Sequence, residues 1–221
     1  MLATFGFTIA GIFFLLFGLT FREQVIKRTK LGLSGFVHAY YSLAVALWVW
    51  AVASANGSDE WLKRSVIIGD LFLLVGTLFM LSLWLSKKTK HWLWLATMVA
   101  LLLVYIRVKY YYPAPFLRDS LLIFNTQQPV AVVLGLIFTL VWLPTNIKVA
   151  RLVTDKIKQP TLRSTYSMIY ALATASALIF IAAKKTSTVA LSFASITVCF
   201  AMLIASNWLV AKVGSPHGRS K

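Results

Sequence analysis

The stretch KVARLVTDKIKQPTLR, residues 148–163, decides how this chain is read. Lys148, Arg151, Lys156, Lys158 and Arg163 crowd into it between two long apolar runs, the densest positive block of its kind in the sequence. Lysine and arginine in short connections mark the cytoplasmic side of a membrane protein, so this block is expected inside. Every other connection then alternates outward from it.

Apolar runs of roughly twenty residues, the length that crosses a hydrocarbon core, recur on both sides of the block. The 221 residues are 59% hydrophobic and 13% charged, against about 25% charged in an ordinary soluble domain, and the mean hydropathy is +0.79. The expectation is an all-α membrane protein: a seven-transmembrane-helix bundle over residues 1–211 and a short cytoplasmic tail over 212–221. The predicted spans are 2–21, 33–54, 65–86, 92–112, 129–147, 164–183 and 188–211. With the 148–163 block inside, the inner connections and tail hold fifteen Lys and Arg and the outer side holds seven. That asymmetry places the N-terminus outside and the C-terminus inside. No basic residue precedes the first apolar run, whereas Arg22, Lys27, Arg28 and Lys30 follow it, so it reads as a retained span rather than a cleaved signal peptide. The predicted location is a plasma membrane or its equivalent.

The formal net charge of +16 is parcelled out among the loops. It therefore points to topology and to membrane lipids, including anionic head groups at the inner leaflet, and not to nucleic acid. The basic surface formed by Lys148, Arg151, Lys156, Lys158 and Arg163 also suits a cytosolic signalling partner. Beyond Pro144 and Asn146, residues Val149, Leu152, Val153 and Ile157 keep helical spacing opposite the cations, which predicts a helix extended past the fifth span until Gln159-Pro160. The single cysteine, Cys199, lies in the last apolar run and can form no internal disulfide.

Polar residues within apolar spans are the candidate site. Asp70 in the third span and Arg107 in the fourth fall at similar depths on neighbouring antiparallel helices, with Tyr105 beside them; a carboxylate at that depth requires a partner. These three form the predicted outer ligand site. His38 and Tyr41, in a polar run with Ser34, Tyr40 and Ser42, form the predicted inner node. The connection Pro113 to Gln128, apolar between Phe116 and Phe124, is expected to lie in the interface or to fold over the bundle mouth. Gly11 and Gly18 predict a close helix seam. Trp48, Trp50, Trp84, Trp92, Trp94 and Trp142 fall near predicted span ends, as interfacial anchors do. Asn56-Gly57-Ser58 is at once a glycosylation acceptor pattern and a turn signal.

Ser34, His38 and Asp70 resemble part of the site of zinc-dependent seven-helix hydrolases related to alkaline ceramidases and adiponectin receptors. The seventh span holds no histidine, however, and catalytic zinc takes about three protein ligands. No metal, cofactor or catalytic residue is therefore expected. In size, orientation and loop brevity over residues 2–211, the chain resembles the seven-helix membrane sensor modules of bacterial histidine kinases. That resemblance implies a receptor-like or sensor-like protein without its own catalytic domain, signalling through a separate partner. The alternatives are a small solute transporter and an intramembrane lipid-modifying enzyme. Seven-helix carriers of the PQ-loop type share the length, but here the Gln128-Pro129 pair stands without a matching repeat.

Overall fold

The computed structural model describes residues 2–27, 32–85, 89, 91–118 and 121–157. The expected sixth and seventh spans, with Lys158, Arg163, Cys199 and the 212–221 tail, lie outside the described residues. The rest is mostly helical. Helix α1 covers Leu2–Phe21 and continues as a π turn over Arg22–Ile26; α2 covers Ser34–Asn56, α3 Asp59–Ser82 and α4 Trp92–Tyr110. After a hairpin of β1 (Phe116–Arg118) and β2 (Leu121–Ile123) come α5 (Gln128–Ile137), a second π turn (Phe138–Trp142) and α6 (Leu143–Ile157). Among the described residues, four helices are long and apolar enough to cross a membrane: Ser34–Asn56, Asp59–Ser82, Trp92–Tyr110 and the continuous Gln128–Val149. Ala3–Leu19 is a shorter apolar helix.

The connection between α2 and α3 is tighter than the 55–64 loop expected from hydropathy. Gly57, at φ 71° in the left-handed region that glycine adopts without penalty, ends α2. Asp59 and Glu60 then open α3, their carboxylates facing the positive end of the helix dipole. Glu60 also pairs with Arg64 one turn on. Charges that disqualify 59–64 as lipid-facing are good helix starters, which is why the helix begins early.

Helix α2 is the centre of the bundle, packed on α1 along one side and α3 along the other. Aromatic side chains on α2 enter glycine notches on its neighbours. A Cβ at Gly11 of α1 would lie 2.5 Å from Trp48 Cδ1, and one at Gly18 would lie 2.5 Å from Tyr41 Cε1. On α3, a Cβ at Gly69 would lie 2.5 Å from Trp50 Cε2. The seam expected at Gly11 and Gly18 is thus present, and a second one, Gly69 and Gly76, repeats its seven-residue spacing. Trp48, Trp50 and Trp142 are packing residues rather than interfacial anchors, because a glycine opposite each gives the indole a place inside the bundle. Trp92 and Trp94 remain exposed.

The π turn at Phe138–Trp142 stands immediately before Leu143-Pro144. Proline has no N–H to complete the rung to residue 140, and its ring crowds that carbonyl. A wider turn at that point lets the helix continue, so Pro144 interrupts the expected fifth span without ending it. The helix runs on to Ile157 as the spacing of Val149 and Ile157 predicts.

Among the described residues, the hairpin is the one departure from the all-helical expectation. Leu121 to Ile123 pair antiparallel with Phe116 to Arg118. Leu122 is buried in a cluster with Ala3 of α1, Ala53 of α2 and Leu62 of α3, with Phe7, Trp50, Leu117 and Phe124 packed around it. Of the two placements expected for this segment, it takes the one over the end of the bundle.

Candidate functional site

Asp70 sits eleven residues into α3, about three turns from its start, whereas Arg107 is only three residues from the end of α4. Helix α3 therefore stands some two turns above α4. At the foot of that step Arg107 Nε donates to Asp70 Oδ2 at 3.1 Å, with side-chain exposures of 7% and 13%. Arg107 Nη1 donates to the Tyr111 carbonyl at 2.7 Å, so one guanidinium both pairs the carboxylate and closes the C-terminus of α4. The carboxylate lies next to Gly69, where the Trp50 ring fills the notch and donates through Nε1 to the Ser65 carbonyl at 3.2 Å. Trp50 in turn packs edge-on to Phe124 just beyond the hairpin, with ring centroids 4.9 Å apart.

Arg107 is the only buried residue among those described in α4. The remainder of this helix exposes apolar surface, up to 73% for Trp94. Tyr105 does not join the ion pair: it faces outward, 56% exposed, with Lys109 Nζ 5.5 Å from its ring centroid and 5.2 Å from that of Tyr110. Two residues along a helix are about 200° apart, so Tyr105 and Arg107 cannot share a face.

At the other end of the bundle His38 and Tyr41 do come together, with ring centroids 6.2 Å apart. His38 is exposed, its Nδ1 is 2.7 Å from the Ser34 carbonyl, and its ring lies on Phe79. Phe79 is nine residues from Asp70, about 13 Å along α3, so His38 and Asp70 do not form one site.

The buried polar contacts here run through Tyr40, Trp84, Trp142 and Asn146, which the sequence reading named without joining them, and through Thr77 and Thr145, which it did not name. The Tyr40 hydroxyl donates to Asn146 Oδ1 at 2.7 Å, and Asn146 Nδ2 donates to the Trp142 carbonyl at 2.8 Å. Trp142 Nε1 donates to Thr77 Oγ1 at 2.9 Å. Trp84, just past the end of α3, donates through Nε1 to Thr145 Oγ1 at 2.7 Å. Each threonine passes the bond to its own helix, Thr77 to the Leu73 carbonyl (2.8 Å) and Thr145 to the Val141 carbonyl (2.6 Å). An indole on each helix thus donates to a threonine on the other. The signal for this network was the spacing of Trp142, Thr145, Asn146 and Val149, one helical stripe whose two polar members are fully buried.

Of the predicted basic surface, Lys148 and Arg151 lie on α6. Lys148 Nζ donates to the Leu83 carbonyl at 3.1 Å and stands 4.2 Å from the Trp84 ring centroid. Arg151 is exposed. Lys156 lies in the last turn of α6.

No protein-family model, curated protein sequence or solved structure matches this chain.

Proposed function

We propose that this chain is a seven-span integral membrane protein with its N-terminus outside. It acts as a receptor-like or sensor-like module that hands its signal to a separate partner at the basic inner face. Large apolar side chains, among them Val52, Trp94, Met98 and Leu140, are exposed along the long helices. Water makes such a surface aggregate, whereas hydrocarbon is its natural solvent.

The observation that carries the sensor reading is the attachment of α4. Its one buried residue among those described is a charge, held by Asp70 of α3. A helix tied through an ion pair has two discrete arrangements, paired and unpaired, and an outer ligand that competes for either charge biases the choice between them. Helices α2 and α3 do not share this freedom, because they are locked by the glycine notches and the indole–threonine bridges.

Single cysteines at Ser58 and Thr154, with Cys199 replaced by Ala, test the orientation; impermeant reagent is expected to label them from opposite sides. For the sensor role, a soluble signalling protein is expected to co-purify with the full chain and to be lost on replacing Lys156 and Lys158 by Gln. Retention of that partner by the neutralised variant rules out this docking face. The π turn before Pro144, an interruption within a spanning helix, favours the alternative of a small solute carrier. Flux of a labelled solute into liposomes holding the purified protein would replace the sensor reading with that one.

A further inference from the structure

The Lys148 end of the bundle carries a second site. Trp84 is half exposed, yet its ring is held in place by the bond from Nε1 to Thr145 Oγ1. Lys148 is fixed over that ring and against the Leu83 carbonyl, the last turn of α3, where the helix dipole favours a cation. An ammonium has three donors. One is used by Leu83 and the ring face occupies a second direction, which leaves the third for an oxygen from outside the protein. Arg151, one turn further along α6, is exposed beside it, followed by Leu152, itself partly exposed. In the opposite direction Leu140 and Leu136 are exposed at 68% and 47% on successive turns, two and three turns from Lys148.

We propose that Lys148 and Arg151 bind the phosphate of an anionic phospholipid beside the Trp84 ring, with one acyl chain lying along Leu140 and Leu136. The inference rests on the membrane reading above and names the ligand of its basic inner face. Charge complementarity selects the head group: Lys148 and Arg151 are two cations one turn apart on α6, and the aromatic ring beside Lys148 is of the kind that sits at head-group level. The apolar stripe selects a lipid over a free phosphate, because a soluble anion leaves Leu140 and Leu136 uncovered.

The test uses the full chain in nanodiscs of phosphatidylcholine with or without phosphatidylglycerol, and native mass spectrometry counts the lipids retained after release. The wild type is expected to retain phosphatidylglycerol in preference to phosphatidylcholine. Lys148→Gln should lower that preference about fivefold and Lys148→Arg should keep it. Arg151→Gln, on an exposed face, should lower it by a similar factor, and it carries the test if Lys148→Gln does not fold. Wild-type preference in both glutamine variants overturns the proposal, as does equal retention of the two lipids by wild type. Displacement of the retained lipid by inorganic phosphate would assign the site to a free anion and also overturn it. Failure of the membrane reading is seen separately, as protein recovered in the aqueous phase without nanodiscs.

Discussion

The two ends of this bundle solve the same problem, polar groups inside an apolar body, with opposite chemistry. At the hairpin end one ion pair, Asp70 with Arg107, joins α3 to α4. At the Lys148 end, besides the bond from Lys148 to the Leu83 carbonyl, buried neutral groups join α2, α3 and the α5–α6 helix, and none of their hydrogen bonds leaves a charge behind if broken. Breaking a buried ion pair strands a charge, whereas breaking a neutral bond strands only a dipole. The hairpin end is therefore all-or-none and the other end is graded.

The largest expected effect is at the ion pair. Asp70→Asn leaves Arg107 uncompensated and should cost about 3–5 kcal/mol, measured as loss of thermal stability of the purified protein in detergent. The double replacement Asp70→Leu with Arg107→Leu should recover most of that loss, because two matched apolar groups strand nothing. Recovery would separate the cost of an orphaned charge from the worth of the pair. No recovery would mean that Arg107 matters chiefly for closing α4 at Tyr111.

Next come the glycine notches, which set the rigid body against which the ends are compared. Gly69→Ala pushes a methyl into Trp50 and should cost about 1–3 kcal/mol. Gly6→Ala on α1 meets nothing within 4 Å and, with alanine the better helix former, should not lower the melting temperature. A smaller effect is expected for Thr77→Val, which removes the acceptor of Trp142 Nε1; in membranes such interhelical bonds average about 0.6 kcal/mol and reach about 1.7 kcal/mol. If Thr77→Val cost as much as Asp70→Asn, the contrast between the two ends would fail. The smallest expected change is Lys27→Ala, which removes an exposed pair with Glu23 worth about 0.3–0.5 kcal/mol.

The sequence was legible where one residue type carried one physical demand. Asp70 had to be paired, Arg107 was the cation at its depth, and the pair is present. Gly11 and Gly18 had to admit something close, and Trp48 and Tyr41 enter there. It was least legible where two demands competed for one residue. Tryptophans near span ends suit both the head-group level and a notch in a neighbouring helix, and only the position of Gly11, Gly69 and Gly76 across the interface decides for Trp48, Trp50 and Trp142. Tyr40 and Tyr41 were equivalent in sequence, yet Tyr40 faces Asn146 while Tyr41 faces Gly18. The hairpin was hidden because Phe116 to Phe124 shows no alternation; the surface on which Leu122 packs is made by Ala3, Ala53 and Leu62 from three different helices, which is a property of the assembled bundle.

The Gly57-Ser58 turn has a bearing on how the protein is made. So short a connection lets α2 and α3 pair side by side as a single unit, with their mutual contacts formed before later segments leave the ribosome. Contacts this local in the chain form early and quickly. Helix α1 then has a surface to settle on, and the helices that follow are added to a finished wall.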